Sequence, residues 1–245
     1  MRCPFPIGLL NPNADALGLP LRMDVGCGKC GACRHNNRTE WTIRICEEER
    51  TCTSAHFVTL TYAPETVPIT DKGLLTLNYN DVQLFLKRVR KAQGRTTEEK
   101  IRFFCVGEYG SKFARPHYHI IFFNLHPFYS DLEYLQHEWQ KGIVHKHDLE
   151  QGLTHYACKY HVTVNRELHL DPNDDRVPEF QKASSKPGIG YNYVERAKDY
   201  HLKNMSTTMI LNGNKLPLPK YYKSKIFSDQ SEEYKMELYK KQISP

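Results

Sequence analysis

The feature that most restricts the fold of this chain is the run from Arg115 to Phe123, R-P-H-Y-H-I-I-F-F. Its aromatic and β-branched residues are typical of a β-strand. Because alternate residues of a strand point to the same face, His117 and His119 should project side by side. Two adjacent imidazoles can begin a metal site, although a chain with 12 histidines can also carry such a pair in its core.

A carboxylate is predicted to join these histidines. Glu108 follows the strand-like run from Ile101 to Val106, and the segment from Gly110 to Pro116 is typical of a hairpin connection. Glu108 would then lie across from the histidines on the neighbouring strand. Two imidazoles and one carboxylate leave coordination positions open, as in a catalytic divalent-metal site and unlike a closed structural site.

A pair of tyrosines further along the chain is a candidate nucleophile. Tyr156 and Tyr160 are four positions apart, and Lys159 lies beside them. On a helix this spacing places both phenols on one face, one turn apart. Because the chain contains 15 tyrosines, the spacing alone is equally compatible with a packing pair.

Three closely spaced cysteines predict a second metal site. Cys27, Cys30 and Cys33 lie among glycines that let the backbone turn its amides towards the sulfurs. A tetrahedral zinc ion needs a fourth ligand, for which Cys3 is the first candidate and His35 the next. An iron–sulfur cluster and unliganded thiols are the alternatives.

Charge and hydropathy permit a nucleic-acid partner without requiring one. The net charge is +6, and 245 residues allow one large domain or two small ones. No stretch approaches the roughly 18 apolar residues of a membrane span, and the N-terminus lacks a signal-peptide pattern, so a reducing cytosol is expected. Basic runs, which solvated helix faces can also have, contain the candidate DNA contacts Lys87, Arg88, Arg90, Arg115, Lys220 and Lys223.

The hydrophobic pattern predicts a mixed α+β chain. Asn80 and Ser130 are the predicted N-caps of the second and third helices. Residues 1–33 should form a loop-rich arm, and the C-terminal region should be less regular. Strands are expected at 56–62, 101–107, 118–124 and 142–149, and helices at 36–51, 80–93, 130–140 and 152–164.

The order of these motifs resembles that of the HUH endonucleases, which initiate rolling-circle replication. It is most similar to the initiators of microviruses of the gokushovirus branch. The shared motifs are C-G-x-C-x-x-C-R, F-V-T-L-T-Y, G-E-Y-G followed by R-P-H-Y-H, Y-x-x-K-Y and K-P-G-I-G, which begin at Cys27, Phe57, Gly107, Tyr156 and Lys186. The resemblance spans residues 1–225 and rests on the shared order of five motifs.

This resemblance implies a fold and a division of the chain. The expected fold is a central antiparallel five-stranded sheet with helices mainly on one face, and its other face presents the metal and the DNA. We divide the chain into a cysteine-rich, zinc-binding arm (1–35), an endonuclease core (36–170) and a C-terminal extension (171–245) with a polar tail from 228.

The resemblance also implies an activity. Mn²⁺ or Mg²⁺ on His117, His119 and Glu108 would neutralise the phosphate at the phage origin, and Tyr156 or Tyr160 would attack it. Lys159 would stabilise the developing charge. Attack on single-stranded DNA would leave a 5′-phosphotyrosine and a 3′-hydroxyl that primes a host polymerase, and the strand would later be rejoined. A host helicase would be a further partner, and the reaction would take place in the cytoplasm of the infected bacterium.

Two other functions fit parts of the sequence. In a zinc-dependent nucleic-acid-binding protein without catalysis, the paired histidines would be core residues. In a metal-dependent nuclease that activates water, no covalent link to DNA would form. If the tyrosine pair serves only for packing, Tyr191 and Tyr193 are the next candidate nucleophiles.

Overall fold

The computed structural model describes residues 1–11, 14, 20–97, 99–147 and 173–243. Within these residues the fold is mixed α+β, with a five-stranded antiparallel sheet and six α-helices, so the predicted fold class is confirmed. Contacts divide the chain into two units. The larger unit is 48–189, and the smaller unit combines 1–47 with 190–245.

The elements follow one another along the chain as short strands and helices. The strands are β1 (Ile7–Leu10), β2 (Arg22–Val25), β3 (Ala55–Thr61), β4 (Arg102–Tyr109), β5 (Pro116–Phe123), β6 (Val144–His147), β7 (Phe180–Ala183), β8 (Thr208–Leu211) and β9 (Asn214–Pro217). The helices are α1 (Gly31–Glu49), α2 (Tyr79–Gln93), α3 (Leu132–Trp139), α4 (Tyr191–Asn204), α5 (Lys220–Ile226) and α6 (Glu232–Ile243), with a 3₁₀ turn at Pro127–Ser130.

The central sheet belongs to the larger unit. Its strand order is β6-β3-β5-β4-β7, and each neighbouring pair is antiparallel. β4 and β5 form the predicted hairpin, in which Glu108 is the register partner of His117. The four strands expected from the sequence are present as β3 to β6, and β7 is an addition from the segment assigned to the C-terminal extension.

One face of this sheet carries the larger hydrophobic core. Alternation along the strands sends bulky side chains to the face on which α2 and α3 pack. Burial of each such side chain stabilises the fold by about 1.5–3 kcal/mol. Fully buried members of this core include Val58, Leu60, Tyr118, Ile120, Phe85 and Trp139. The same alternation directs the two histidines of β5 to the opposite face.

Two predicted helix caps are wrong. α2 is capped by Asn78, whose side-chain oxygen accepts a hydrogen bond from the amide of Asn80, the predicted cap. α3 is capped by Asp131, because its carboxylate reaches the amide of Glu133. The hydroxyl of Ser130, the predicted cap, instead donates to the carbonyl of Pro127 in the preceding 3₁₀ turn.

The smaller unit is more regular than the sequence predicts. The hairpin β1–β2 lies in the expected loop-rich arm, and α1 begins at Gly31 instead of residue 36. The hairpin β8–β9 and α4 to α6 lie in the region expected to be irregular, and α6 lies in the predicted polar tail. Tyr193, Leu218 and Tyr222 are among its buried core residues. The domain boundaries at residues 35 and 170 stay predictions.

A glycine at the start of α4 permits close packing within the smaller unit. Gly190 has a φ of 75°, a conformation that residues with a side chain rarely adopt. A Cβ atom at this position would lie 2.7 Å from the carbonyl oxygen of Arg44 and even closer to the hydroxyl of Tyr222. The glycine of the K-P-G-I-G motif therefore has a structural reason.

Candidate metal centre

Glu108, His117 and His119 converge on the face of the sheet opposite α2 and α3. Oε1 of Glu108 lies 3.0 Å from Nε2 of His117 and 3.1 Å from Nε2 of His119. One ligand atom from each residue lies within 4.8 Å of the others. Because all three side chains project from paired strands, the backbone holds the group in place.

The electrostatics keep this carboxylate ionised. Burial alone raises the pKa of Glu108, but hydrogen bonds and charge from His117 and His119 lower it to about 2. For His117, burial lowers the pKa and Glu108 raises it more strongly. The group therefore combines an anionic oxygen with two imidazoles, a donor set that suits Mn²⁺ at least as well as Mg²⁺.

The second oxygen of Glu108 indicates room for a cation. Oε2 is buried and has no hydrogen-bond partner among the described residues. A buried carboxylate oxygen without a partner is costly, and coordination to a cation would remove that cost. The three residues thus fit a divalent ion bound through imidazole nitrogen and carboxylate oxygen.

Four cysteines of the smaller unit form a second candidate metal site. One sulfur each from Cys3, Cys27, Cys30 and Cys33 lies within 4.8 Å of the others, so Cys3 joins the cluster as the first candidate for the fourth ligand. The sulfurs of Cys3 and Cys30 are 3.7 Å apart. A tetrahedral zinc with Zn–S bonds of about 2.3 Å requires sulfurs separated by about 3.8 Å.

Backbone amides prepare these sulfurs for metal binding. The amide of Cys27 points at Sγ of Cys3, at 3.3 Å, and the amide of Cys30 points at Sγ of Cys27, at 3.4 Å. The backbone N–H groups of Cys30 and Lys29 lower the pKa of the Cys27 thiol to about 6. A Cβ atom on Gly26 would lie 2.8 Å from Sγ of Cys33, so a glycine keeps the cradle open.

Comparison with known proteins finds a match over the strands of the first site. A family model that describes replication-associated proteins of the ORF2 type matches residues 55–164. This segment begins with β3 and extends past β6, so it includes all three residues of the Glu108, His117 and His119 group.

Similar whole proteins come from three phages. Replication-associated protein VP4 of Bdellovibrio phage phiMH2K is 27% identical over 215 residues, which cover 80% of this chain and 65% of that protein. Replication-associated protein ORF2 of Spiroplasma virus 4 is 28% identical over 236 residues (88% and 72%), and ORF4 of Chlamydia phage 1 is 26% identical over 229 residues (84% and 55%). The chain is related to the replication-associated proteins of microviruses. The predicted resemblance is confirmed.

Further findings delimit this relationship. The chain spans less than two thirds of the Bdellovibrio and Chlamydia phage proteins. No solved structure matches it. Among the described residues, none of the helices combines the length and apolar character needed to cross a membrane.

The other site residues predicted for this microvirus relative fall into two groups. Tyr156, Lys159 and Tyr160 lie outside the described residues. Of the predicted DNA contacts, Lys87 and Lys220 are exposed. The rest of that set includes guanidinium groups already used within the larger unit.

Three predicted DNA contacts hold neighbouring backbone or pack on a ring. Arg88 donates to the carbonyl of Glu138 at 2.9 Å, and Arg115 donates to the carbonyl of Tyr62 at 2.8 Å. The guanidinium of Arg90 lies 5.1 Å from the ring centre of Phe103. These contacts give the three arginines structural roles within the larger unit.

Sequence reasoning missed the residues that support the metal centre. Thr59 and His147 contact His119 directly and through one another, as described below. The ring of Phe180 lies over Gly107, where a Cβ atom would come within 2.8 Å of it, so this motif glycine serves packing. Thr59 could have been found from the alternation in F-V-T-L-T-Y, whereas His147 carries no local signal.

Proposed function

We propose that this chain is a microvirus replication initiator, a metal-dependent endonuclease that nicks and rejoins single-stranded DNA at the phage origin. The observation that carries the proposal is the Glu108, His117 and His119 group, held by paired strands inside the segment matched by the replication-associated family model. The side chains of these residues are 12%, 19% and 7% exposed, so each stays within reach of a ligand.

The three residues would hold Mn²⁺ or Mg²⁺. When bound, the ion neutralises phosphate charge and stabilises the charge that develops at phosphorus. Glu108 stays ionised and supplies an anionic ligand, while the β5 backbone presents both Nε2 atoms to the same point. This arrangement is fixed before DNA binds, so little reorganisation is needed during the reaction.

The proposed nucleophiles are Tyr156 and Tyr160. The phenolic oxygen of one tyrosine attacks phosphorus, the bond from phosphorus to the 3′ oxygen breaks, and the phenolic proton is replaced on that oxygen from solvent. The products are a 5′-phosphotyrosine and a free 3′-hydroxyl. Lys159 would stabilise charge on the phosphate, and the reverse reaction would rejoin the strand without another source of energy.

Partners and location follow from this chemistry. The 3′-hydroxyl would prime a host polymerase, and a host helicase would unwind the duplex in the cytoplasm of the infected bacterium. The exposed amines of Lys87 and Lys220 are proposed to contact DNA phosphates on their respective units.

We also propose that the four cysteines hold a structural zinc ion. The sulfur separation of 3.7 Å between Cys3 and Cys30 and the low pKa of Cys27 support this choice. A closed site of four thiolates leaves no coordination position for substrate, so this ion would stabilise the smaller unit and take no part in DNA cleavage.

A denaturing gel tests the endonuclease. The protein is incubated with Mn²⁺ and single-stranded oligonucleotides that tile the phage origin. We expect a covalent protein–DNA adduct with wild type, and none with His119→Ala or with the double variant Tyr156→Phe, Tyr160→Phe. Tyr200→Phe, which changes an exposed tyrosine of α4, is the matched control and should form adduct normally.

The possible results separate the competing functions. Cleavage without an adduct indicates a nuclease that activates water. DNA binding without cleavage indicates a non-catalytic binding protein. An adduct that persists in the double tyrosine variant places the nucleophile elsewhere, with Tyr191 and Tyr193 to be tested next.

A further inference from the structure

We infer that Thr59 and His147 are positioning residues for His119, and that they hold its ring with Nε2 directed to the metal. The inference rests on the proposed metal centre and names a supporting shell behind it. Such outer hydrogen bonds fix the tautomer and orientation of a metal-binding imidazole. The inference concerns residues that come from three neighbouring strands, β3, β5 and β6.

A continuous chain of hydrogen bonds links the three side chains. Oγ1 of Thr59 lies 2.9 Å from Nδ1 of His119 and 2.7 Å from Nε2 of His147. Thr59 is the register partner of His119 across β3 and β5, so the contact is set by the pairing of the strands. Thr59 and His119 are 8% and 6% exposed, and water therefore competes little for these bonds.

Packing restricts the same ring from a second direction. The ring of Phe57 lies parallel to that of His119, with centroids 5.6 Å apart and an interplanar angle of 10°. Phe57 also contacts His147, at a centroid distance of 4.9 Å. The stacked phenyl ring limits tilting of His119, and the hydroxyl of Thr59 determines which ring edge faces Glu108.

Both candidate ligands have their Nδ1 atoms occupied on the side away from Glu108. Nδ1 of His117 lies 3.2 Å from the carbonyl oxygen of Arg115, as Nδ1 of His119 lies near Thr59. A carbonyl can only accept, so Nδ1 of His117 carries a hydrogen. Both rings thus present Nε2 to the carboxylate, which is the arrangement needed for joint coordination.

A hydroxyl suits the position beside His119 because it can both donate and accept. In the metal-free protein, Nε2–H of His119 donates to Glu108, and Nδ1 accepts from Thr59. With Nε2 bound to a metal, Nδ1–H would donate to Thr59, whose hydroxyl would then donate to Nε2 of His147. His147 can serve either state because its Nε2 is a donor in one tautomer and an acceptor in the other.

This reversible chain predicts the effect of matched substitutions on Mn²⁺ affinity, measured by electron paramagnetic resonance of the free ion. Thr59→Val keeps the shape and removes the hydroxyl, so we expect affinity to fall by about 10- to 100-fold. Thr59→Ser retains the hydroxyl and should bind within about threefold of wild type, a smaller effect than loss of a supporting hydrogen bond.

Substitutions at the other end of the chain give an independent measurement. His147→Leu should weaken Mn²⁺ binding, and His147→Gln should largely restore it because an amide can also donate or accept. His145→Gln is the matched control, since His145 lies on the same strand and face and is exposed. Thermal unfolding without metal checks that each variant is folded.

The outcomes distinguish this inference from the proposed metal centre. If His119→Ala abolishes Mn²⁺ binding while folded Thr59→Val and His147→Leu bind like wild type, the positioning role is wrong and the metal centre stands. If His119→Ala itself binds Mn²⁺ like wild type, the metal centre is wrong and the positioning role fails with it. Should Thr59→Val not fold, the pair His147→Leu and His147→Gln decides the inference.

Discussion

At the scale of single residues, the candidate metal centre depends on the charge of Glu108. Its Oε1 accepts from both imidazoles, while its buried Oε2 lacks a hydrogen-bond partner within the described part of the chain. Burying a carboxylate in this way is unfavourable unless cations pair with it. A packed apolar group would be the more stable choice for the fold alone, so the arrangement is better explained by ligand binding than by core formation.

His201 on α4 illustrates a second buried histidine, with a different expected role. Nδ1–H of His201 donates to the carbonyl of Ser206 at 2.6 Å, and Nε2 accepts from the hydroxyl of Tyr193 at 2.7 Å. Burial lowers the pKa of His201 below its ordinary value of 6.5. The unfolded chain therefore binds more protons than the folded chain below pH 6.5, and stability should be lost as the pH falls through this value.

Urea unfolding from about pH 5 to about pH 7.5, which spans the ordinary histidine pKa, measures this effect. The free energy of unfolding should rise with pH up to 6.5, and His201→Gln should flatten the rise while lowering stability throughout. His137→Gln, at a side chain that is 76% exposed, is the control and should keep the wild-type slope. An unchanged slope in His201→Gln would contradict the prediction.

The ligand residues were predictable for a simple physical reason. Strand alternation places His117 and His119 on one face, and a short hairpin places Glu108 beside them. Thr59 and His147 could not be predicted in the same way, because their contacts cross between strands that are distant in sequence. The roles of Tyr156 and Tyr160 stay predictions, since they lie outside the described residues.

At the scale of elements, Gly190 is expected to limit how α4 begins. An added methyl group would meet the carbonyl of Arg44 and the hydroxyl of Tyr222, and the positive φ would be strained. We expect Gly190→Ala to lower the free energy of unfolding by about 2–5 kcal/mol, the sum of backbone strain and overpacking. Thermal or denaturant unfolding measures the loss.

A second glycine separates these two causes. Gly213, between β8 and β9, has a φ of 77° but open space around its Cα. Gly213→Ala should therefore cost only the backbone strain, about 1–2 kcal/mol. Equal losses in the two variants would show that packing at Gly190 contributes nothing.

Element length explains which parts of the fold were predictable. The seven- and eight-residue strands β3, β4 and β5 contain enough alternating positions to be recognised. The four-residue strands β1, β2, β7, β8 and β9 do not, and they were missed. The helix caps were misplaced by one or two residues because several neighbouring side chains can each accept from a first-turn amide.

At the scale of the whole molecule, the chain separates its two candidate metal sites. The Glu108 group lies in the larger unit and the cysteine cluster in the smaller one, which joins residues 1–47 with 190–245. Local patterns identify each site but carry no information about which distant segments pack together. That is why buried residues such as Tyr193 and Tyr222 were not predicted to share a core with Ile43.

The cysteine cluster should stabilise the smaller unit by closing a loop. Cys3 and Cys27 are separated by 24 positions, and metal binding would tie this segment to the start of α1. The free energy of zinc binding to a site absent from the unfolded chain contributes directly to folding stability. We expect about one zinc ion per chain, as four thiolates complete one tetrahedral site. We also expect Cys30→Ser to lose the ion and unfold at a lower temperature.

Elemental analysis and thermal unfolding measure both effects. Cys52→Ser is the matched control, because Cys52 lies outside the cluster and its thiol donates to the carbonyl of Glu49, which a serine hydroxyl can also do. A chelator should lower the unfolding temperature of wild type and of Cys52→Ser, but should leave Cys30→Ser unchanged, since that variant has no ion to lose. Purified wild type without zinc, or a chelator effect that persists in Cys30→Ser, would contradict the structural zinc site.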